Sequence, residues 1–339
     1  MRGRSTAVAA VVGAAVLALS AACGGGGSGS KTELVVYNAQ HEDLVAAMLK
    51  GFAKETGIDV TLRNGSDFEL ANQIVQEGSA SPADVFLTEN SPAMTLVSDK
   101  GLFAPVDGDT MAQVPAAYVS SKKDWLGFAA RSTVLAYNTA GVPKDQLPAS
   151  IMDMADPRWK GQVGIAPSGA DFQAIVSAVV AVEGQAKAQT WLQGLKTNAK
   201  IYRNNVAILS AVNSGEIKTG IIYHYYWYQD QAESGANSKN VTLDFFGHQD
   251  PGAFLSTSGA GVLKSSKHAA DAQQLVNYLT GKAGQQALVD SNALEYPVGN
   301  GIKANAKLKP LSELDPPTVD VGALNGPAVV AMMQQAGLL

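Results

Sequence analysis

From Glu33 onward the apolar positions of the chain switch between two spacings. "ELVVYN" is a short apolar run that reads as a buried strand. "HEDLVAAMLKGFAKETG" then sets Leu44, Ala47, Met48 and Phe52 at three- and four-residue steps, which predicts one face of a helix. Glu42 and Asp43 suit the first turn, where the helix dipole favours negative charge, and Gly57 suits the stop. "IDVTLR" predicts the next strand, "FELANQIVQEG" the next helix and "ADVFLTEN" a third strand. Strand, helix, strand, helix, strand is the pattern of a parallel sheet in an α/β domain.

A second segment of the same kind follows. "GQVGIA" predicts a strand and "PSGAD" a turn, with helices from about Phe172 to Glu183 and over "AQTWLQGLK". After "KIYRNN" a helix is expected near Ala207 to Ser214, then the strand "KTGIIYH", with helix again from about Trp227. Two β-prone runs link the segments, "WLGFAARSTVLAYN" and the stretch from "NVTLDFF" to "TSGAGVLK". Two extended crossings between two α/β lobes predict a hinged pair with a cleft. The tail, "HAADAQQLVNYLTGKAGQQALV" to "GPAVVAMMQQAGLL", reads as helical and packed on the outside.

Composition adds limits. The 339 residues give room for about two domains of ordinary size. A net charge of -5 without a basic run excludes the electrostatic footprint of a nucleic-acid binder. The N-terminus is set apart from the fold: Arg2 and Arg4 precede an uncharged, mostly apolar run from Ala7 to Ala22 that is short for a membrane-spanning helix. That is the make-up of an export signal, and "GGGGSGSK" after it is a flexible tether. The one cysteine, Cys23, closes the signal in "LSAAC", which resembles a bacterial lipobox, although Ser20 stands where Leu is commonest and Leu19 lies one place further back. Lipidation of Cys23 is the expected consequence, and it leaves no cysteine for a disulfide.

One stretch is anomalous for a chain with only 7% aromatics: "GIIYHYYWYQD" crowds Tyr223, Tyr225, Tyr226, Trp227 and Tyr228 around His224. Every buried phenol must find a hydrogen-bond partner, so an ordinary core avoids such a cluster. Within a regular strand Tyr225 and Tyr226 would point to opposite faces, so a shared ligand requires the chain to turn there. The change from "TGIIYH" to "YQDQAESG" supplies that turn at the carboxyl end of a strand, the edge where open α/β sheets bind ligands. The cluster alone leaves three readings open: packing, a stacking platform for a sugar, or a hard cation such as Fe(III) held by phenolate oxygens.

Residues elsewhere bear on that choice. "VVYNAQHED", "PADVFLTEN", "KKDW", "DPRWKGQVGIAPSGA", "YYWY" and "HQDPGAFLSTSGAGVLK", in this order, resemble the bacterial ferric-ion-binding proteins, receptors of ABC-type iron importers. The likeness covers nearly all of the chain after the tether. It implies a two-lobed, periplasmic-binding-protein-like α/β fold, with two β crossover strands as hinge and a ligand cleft between the lobes. Its parts would be a signal at 1–23, a tether at 24–32, one lobe at 33–131 plus about 256–306, and the other at 132–255 plus about 307–339. The resemblance further implies Fe(III) ligands at His41, Glu89, Tyr225 and Tyr226, and a synergistic phosphate or carbonate held by Ser168, Gly169, Ala170 and Asn205. Arg131 would support the iron from behind. Relatives often carry Asn where this chain has Tyr223, so Tyr223 stands as a third phenolate or an anion contact.

The expected activity is capture of ferric ion, free or chelated, and delivery to the membrane subunits and ATPase of an iron permease. The expected place is the outer face of the cytoplasmic membrane, anchored by lipid, as a monomer. A receptor of the same fold for a sugar, polyamine or oxyanion is the alternative, but a sugar platform needs neither His41 nor Glu89 in those places. An enzyme is not expected, because HExxH, G-x-S-x-G and Walker motifs are absent and the four histidines, His41, His224, His248 and His268, fall in unrelated segments.

Overall fold

The computed structural model describes residues 33–339, so the export signal, Cys23 and the tether lie outside the described residues. The first half builds β1 (Glu33–Asn38), α1 (Glu42–Thr56), β2 (Asp59–Asn64), α2 (Asp67–Glu77), β3 (Val85–Leu87), α3 (Ser91–Asp99), α4 (Gly108–Met111) and β4 (Leu126–Asn138). The chain continues through β5 (Val163–Ile165), α5 (Ala170–Glu183), α6 (Gln185–Asn198), β6 (Ala199–Ile201), α7 (Asn205–Ser214), β7 (Thr219–Tyr223) and α8 (His224–Glu233). It ends with β8 (Val241–Asp244), β9 (Leu255–Val262), α9 (Ala269–Thr280), α10 (Lys282–Asp290), β10 (Tyr296–Pro297) and α11 (Gly326–Gln335).

The architecture is mixed α/β around one large sheet, whose main path runs β2-β1-β3-β9-β4-β7-β5-β6. β1 pairs in parallel with β2 and β3, as the alternation at the start of the chain predicts. β5 pairs in parallel with β6 and β7. The two parallel sets meet through antiparallel strands. All 13 residues of β4 are buried, and its partner changes along its length. As far as Ser132 it pairs with β9, and from Thr133 with β7, while β8 lies on its far end. The second predicted crossing is two strands: β8 joins the second half of β4, a short turn at Pro251–Ala253 follows, and β9 joins the first.

Packing follows the predicted faces with small shifts. α1 buries Leu44, Val45, Met48, Leu49 and Phe52 but leaves Ala47 exposed, and Gly57 ends it in the left-handed region at φ 74°, where a Cβ would be strained. Its apolar face joins Val36, Phe128, Val262 and Leu275 in one core cluster. A second cluster packs α5 and α6 on β5 and β7, through Ile175, Val179, Trp191, Val163 and Ile221. α11 closes against α3, α5 and α6. Among the described residues no helix is long and apolar enough to cross a membrane.

Three helices start earlier than their sequence pattern predicts, α7 at Asn205 rather than near Ala207 among them. α5 begins at Ala170, so Asp171 is in its first turn. α8 begins at His224 rather than near Trp227, directly after the last residue of β7. The aromatics of "YHYYWY" favour strands by propensity, and tertiary packing overrides that preference.

Candidate functional site

The early start of α8 determines the geometry of the tyrosine pair. Adjacent residues project about 100° apart on a helix, against about 180° on a strand. Tyr225 and Tyr226 can therefore face the same way, and their ring centroids lie 4.2 Å apart at an interplanar angle of 32°. Each hydroxyl meets a carboxylate. Tyr225 donates to Glu89 Oε1 at 2.8 Å, and Tyr226 donates to Asp171 Oδ2 at 3.0 Å. Burial first, then the charges of Asp171 and Glu89, push both phenols well above the ordinary phenol range. Both stay protonated at neutral pH until a strong Lewis acid displaces the protons.

His41 stands at the N-terminal cap of α1, with Nε2 3.6 Å from Glu89 Oε1 and its ring centroid 5.0 Å from that of Tyr225. The structure thus brings His41, Glu89, Tyr225 and Tyr226 together from three parts of the chain. Burial disfavours the charged imidazole, but the hydrogen bond to Glu295 and the charge of Glu89 outweigh it and raise His41 to about 9. Among the described residues no three His, Cys, Asp or Glu side chains are arranged to hold a metal on their own, so phenols must complete any such set.

The surroundings fix these groups. Glu89 and Asn90 donate their backbone N–H groups to the two oxygens of Asp67, at 2.9 and 3.0 Å. Burial and the neighbouring charge of Glu89 raise Asp67 to about 8. The Asn90 amide donates to Asp171 Oδ1 at 3.0 Å, and its oxygen accepts from Ser256 at 2.7 Å and Tyr223 at 3.2 Å. Arg131 is wholly buried in β4 and donates to the Glu89 carbonyl, to Ser258 and to Glu295, which places it behind Glu89.

The predicted anion contacts are arranged differently. The Asn205 amide donates to Asp171 Oδ2 at 2.7 Å, Gly169 gives its N–H to the Ala166 carbonyl, and Ser168 is exposed. Ala170 opens α5. Asp171 is thus an acid supplied by the chain itself, held by Asn205, Asn90 and Tyr226. Burial and the charge of Glu89 raise its pKa. Tyr223 is buried and donates to Asn90 and to the Asp171 carbonyl, so it braces the site through neighbours.

The rest of the aromatic cluster packs. Trp227 donates its indole N–H to the Val241 carbonyl at 2.8 Å. His224 stacks on Tyr296 with centroids 4.8 Å apart and accepts the Ser132 N–H, and burial lowers it to about 4, so it is neutral. Sequence reasoning missed Asp171, Asn90, Asp67 and Glu295. Glu295 alone left a signal, a lone acid inside the apolar run "ALEYP".

Six of the residues gathered here share a place at a helix start. His41 and Asn90 cap the N-termini of α1 and α3, Asp171 and Asn205 lie in the first turns of α5 and α7, and Tyr225 and Tyr226 lie in the first turn of α8. A cavity of about 860 Å³ opens beside His41, lined also by Glu42, Asp43, Glu233 and Asp290.

Residues 80–319 match the family of bacterial extracellular solute-binding proteins. The chain belongs to that family. Among curated solute-binding proteins it is 55% identical over 306 residues to the Fe(3+)-binding periplasmic protein of Serratia marcescens, covering 90% of each chain. It is 37% identical over 309 residues to the major ferric iron-binding protein of Neisseria meningitidis, covering 90% of this chain and 93% of that one. In structure this solute-binding protein matches iron-bound HitA of Pseudomonas aeruginosa with a TM-score of 0.86 and 41% identity, over 91% of this chain and 100% of that one.

Proposed function

We propose that the chain is an extracytoplasmic receptor that captures ferric ion and delivers it to an ABC-type permease. The observation that carries this is the pairing of two adjacent buried phenols with two carboxylates, Tyr225 with Glu89 and Tyr226 with Asp171, beside the His41 imidazole. Four hard oxygens and one nitrogen suit a small, highly charged cation. The relatives named above are ferric-binding proteins, which supports the same cargo. A sugar platform fits less well, because Tyr225 is wholly buried and has no open face for stacking.

In this reading the metal takes the places of the phenolic protons between Tyr225 and Glu89 and between Tyr226 and Asp171. Asp171 fills the position that phosphate or carbonate would hold against Asn205. The protein binds and releases without catalysing a reaction. The lobes would be 33–131 with about 256–306, and 132–255 with about 307–339; the change of β4 partner just after Ser132 supports a division near that point. Lipidation at Cys23 would tether a monomer to the outer face of the cytoplasmic membrane, within reach of its permease.

Titration of chelator-stripped protein with ferric ion tests the proposal. The expected result is a visible tyrosinate-to-iron charge-transfer band that saturates at one ion per chain. No band, with no retention of iron after gel filtration, overturns it.

Acid should release the ion. Both phenols and the His41 imidazole, raised to about 9, are protonated in the empty site, so about three protons leave for each ion bound, and affinity should fall by about 1000-fold per unit of pH. Competition against citrate between neutral and mildly acidic pH measures the slope. A flat profile would exclude phenolate ligation.

A further inference from the structure

Glu295 is a fully buried acid, far from the site in sequence, that the ligand set does not use. Its carboxylate is shared among three neighbours. Oε2 accepts from Arg131 Nη2 at 2.6 Å and from the Gln40 amide at 3.3 Å. Oε1 lies 3.1 Å from His41 Nδ1. We propose that Glu295 is a positioning residue for His41, holding the imidazole with its proton on Nδ1 and turning bare Nε2 toward the cation. The inference rests on the ferric reading of the site.

The argument starts from what a carboxylate can do. Beside Arg131 it is ionised and can only accept, so the hydrogen between Glu295 and His41 must sit on Nδ1. Nε2 is then the nitrogen with a free lone pair once the ion is bound. It faces Glu89 Oε1, 3.6 Å away, which is the side of the tyrosine pair. The backbone of His41 is pinned as well, because its N–H donates to Gln40 Oε1 at 2.7 Å. Ring and main chain are both fixed before a cation arrives, and a ligating histidine generally gets its orientation and basicity from such a partner.

The approach of Glu295 is itself built at a cost. Leu294, immediately before it, adopts φ 53°, a left-handed conformation that a branched apolar residue rarely takes. The Gln229 amide steadies the preceding turn by donating to the Ala293 carbonyl at 2.9 Å. The competing explanation is that Glu295 only neutralises Arg131. Replacement by Gln separates the two. The guanidinium needs an acceptor and takes the amide oxygen, so the amide NH₂ faces His41 Nδ1 and stabilises the wrong tautomer, with the proton on Nε2.

Two measurements decide. In the wild-type protein loaded with Ga(III), a diamagnetic hard trivalent ion, ¹⁵N NMR of labelled histidine should show His41 protonated at Nδ1 and metal-bound at Nε2. Metal on Nδ1 overturns the proposal without any substitution. Ferric affinity is then compared in wild type, Glu295→Gln, His41→Ala and the double variant by competition with citrate. Glu295→Gln should lose about 10–100-fold, the scale of a residue that orients a ligand, and should lose nothing further in the His41→Ala background. Losses that add independently show that Glu295 acts elsewhere and overturn the proposal. A wild-type protein that gives no charge-transfer band overturns the ferric reading, and this inference with it; a band with Nδ1 ligation overturns this inference alone.

Discussion

Replacing Tyr226 by Phe, or Tyr225 by Phe, should shift and weaken the ferric charge-transfer band and lower affinity by more than about 100-fold, beyond the loss typical of a merely supporting residue. The two variants should differ in kind. Tyr225→Phe leaves Glu89 without its phenolic donor, whereas Tyr226→Phe leaves Asp171 still held by Asn205 at 2.7 Å and Asn90 at 3.0 Å. The empty Tyr225→Phe protein should therefore show the larger rearrangement around its carboxylate, visible in a crystal structure without metal. A band unchanged in both variants would remove the phenols from the ligand set.

Asp171→Ala should make ferric binding depend on an added anion. The wild-type chain carries its own carboxylate against Asn205 and Tyr226. Removing it frees the Asn205 amide and the N-terminus of α5, a pairing suited to phosphate or carbonate. Ferric affinity of Asp171→Ala in anion-free buffer should drop about 100-fold and recover in part when phosphate is added, while wild type responds little to phosphate. Titrations of both proteins with phosphate, with carbonate and with neither measure this. A strict phosphate requirement in wild type would place the anion outside the chain and defeat the assignment to Asp171.

This outcome also shows where sequence reading stops. The parallel strands β1, β2 and β3 were legible because buried runs and amphipathic helices alternate from Glu33, and His41, Glu89, Tyr225 and Tyr226, which the fold brings together, were singled out through their resemblance to a family. Strands as short as β10, two residues long, have no period to detect. The start of α8 was hidden because a run of aromatics reads as strand. Asp171 was hidden for a subtler reason: an acid in the first turn of a helix is ordinary by itself. Only the approach of Tyr226 and Asn205, 55 and 34 positions away, gives it a role. Sequence reading offers Tyr223 as a third phenolate or an anion contact, whereas its hydroxyl donates to Asn90 and the Asp171 carbonyl. Glu295 meets His41 across 254 positions, and no local pattern encodes that.

The convergence of helix starts on the cleft has a consequence for the net charge of the loaded protein. With a neutral imidazole, the carboxylates of Glu89 and Asp171 and two phenolates carry four negative charges against three on the ion, and Arg131 is already matched by Glu295. The surplus negative charge sits in a largely buried place, where an isolated ion would be expensive. Each helix N-terminus presents roughly half a positive elementary charge, and five of them point their first turns here. The backbone thus serves as an immobile counter-ion. On the proposed reading it would let the chain use its own carboxylate in place of a dissolved anion, so that the filled cleft would hold its cargo without recruiting anything else from solution.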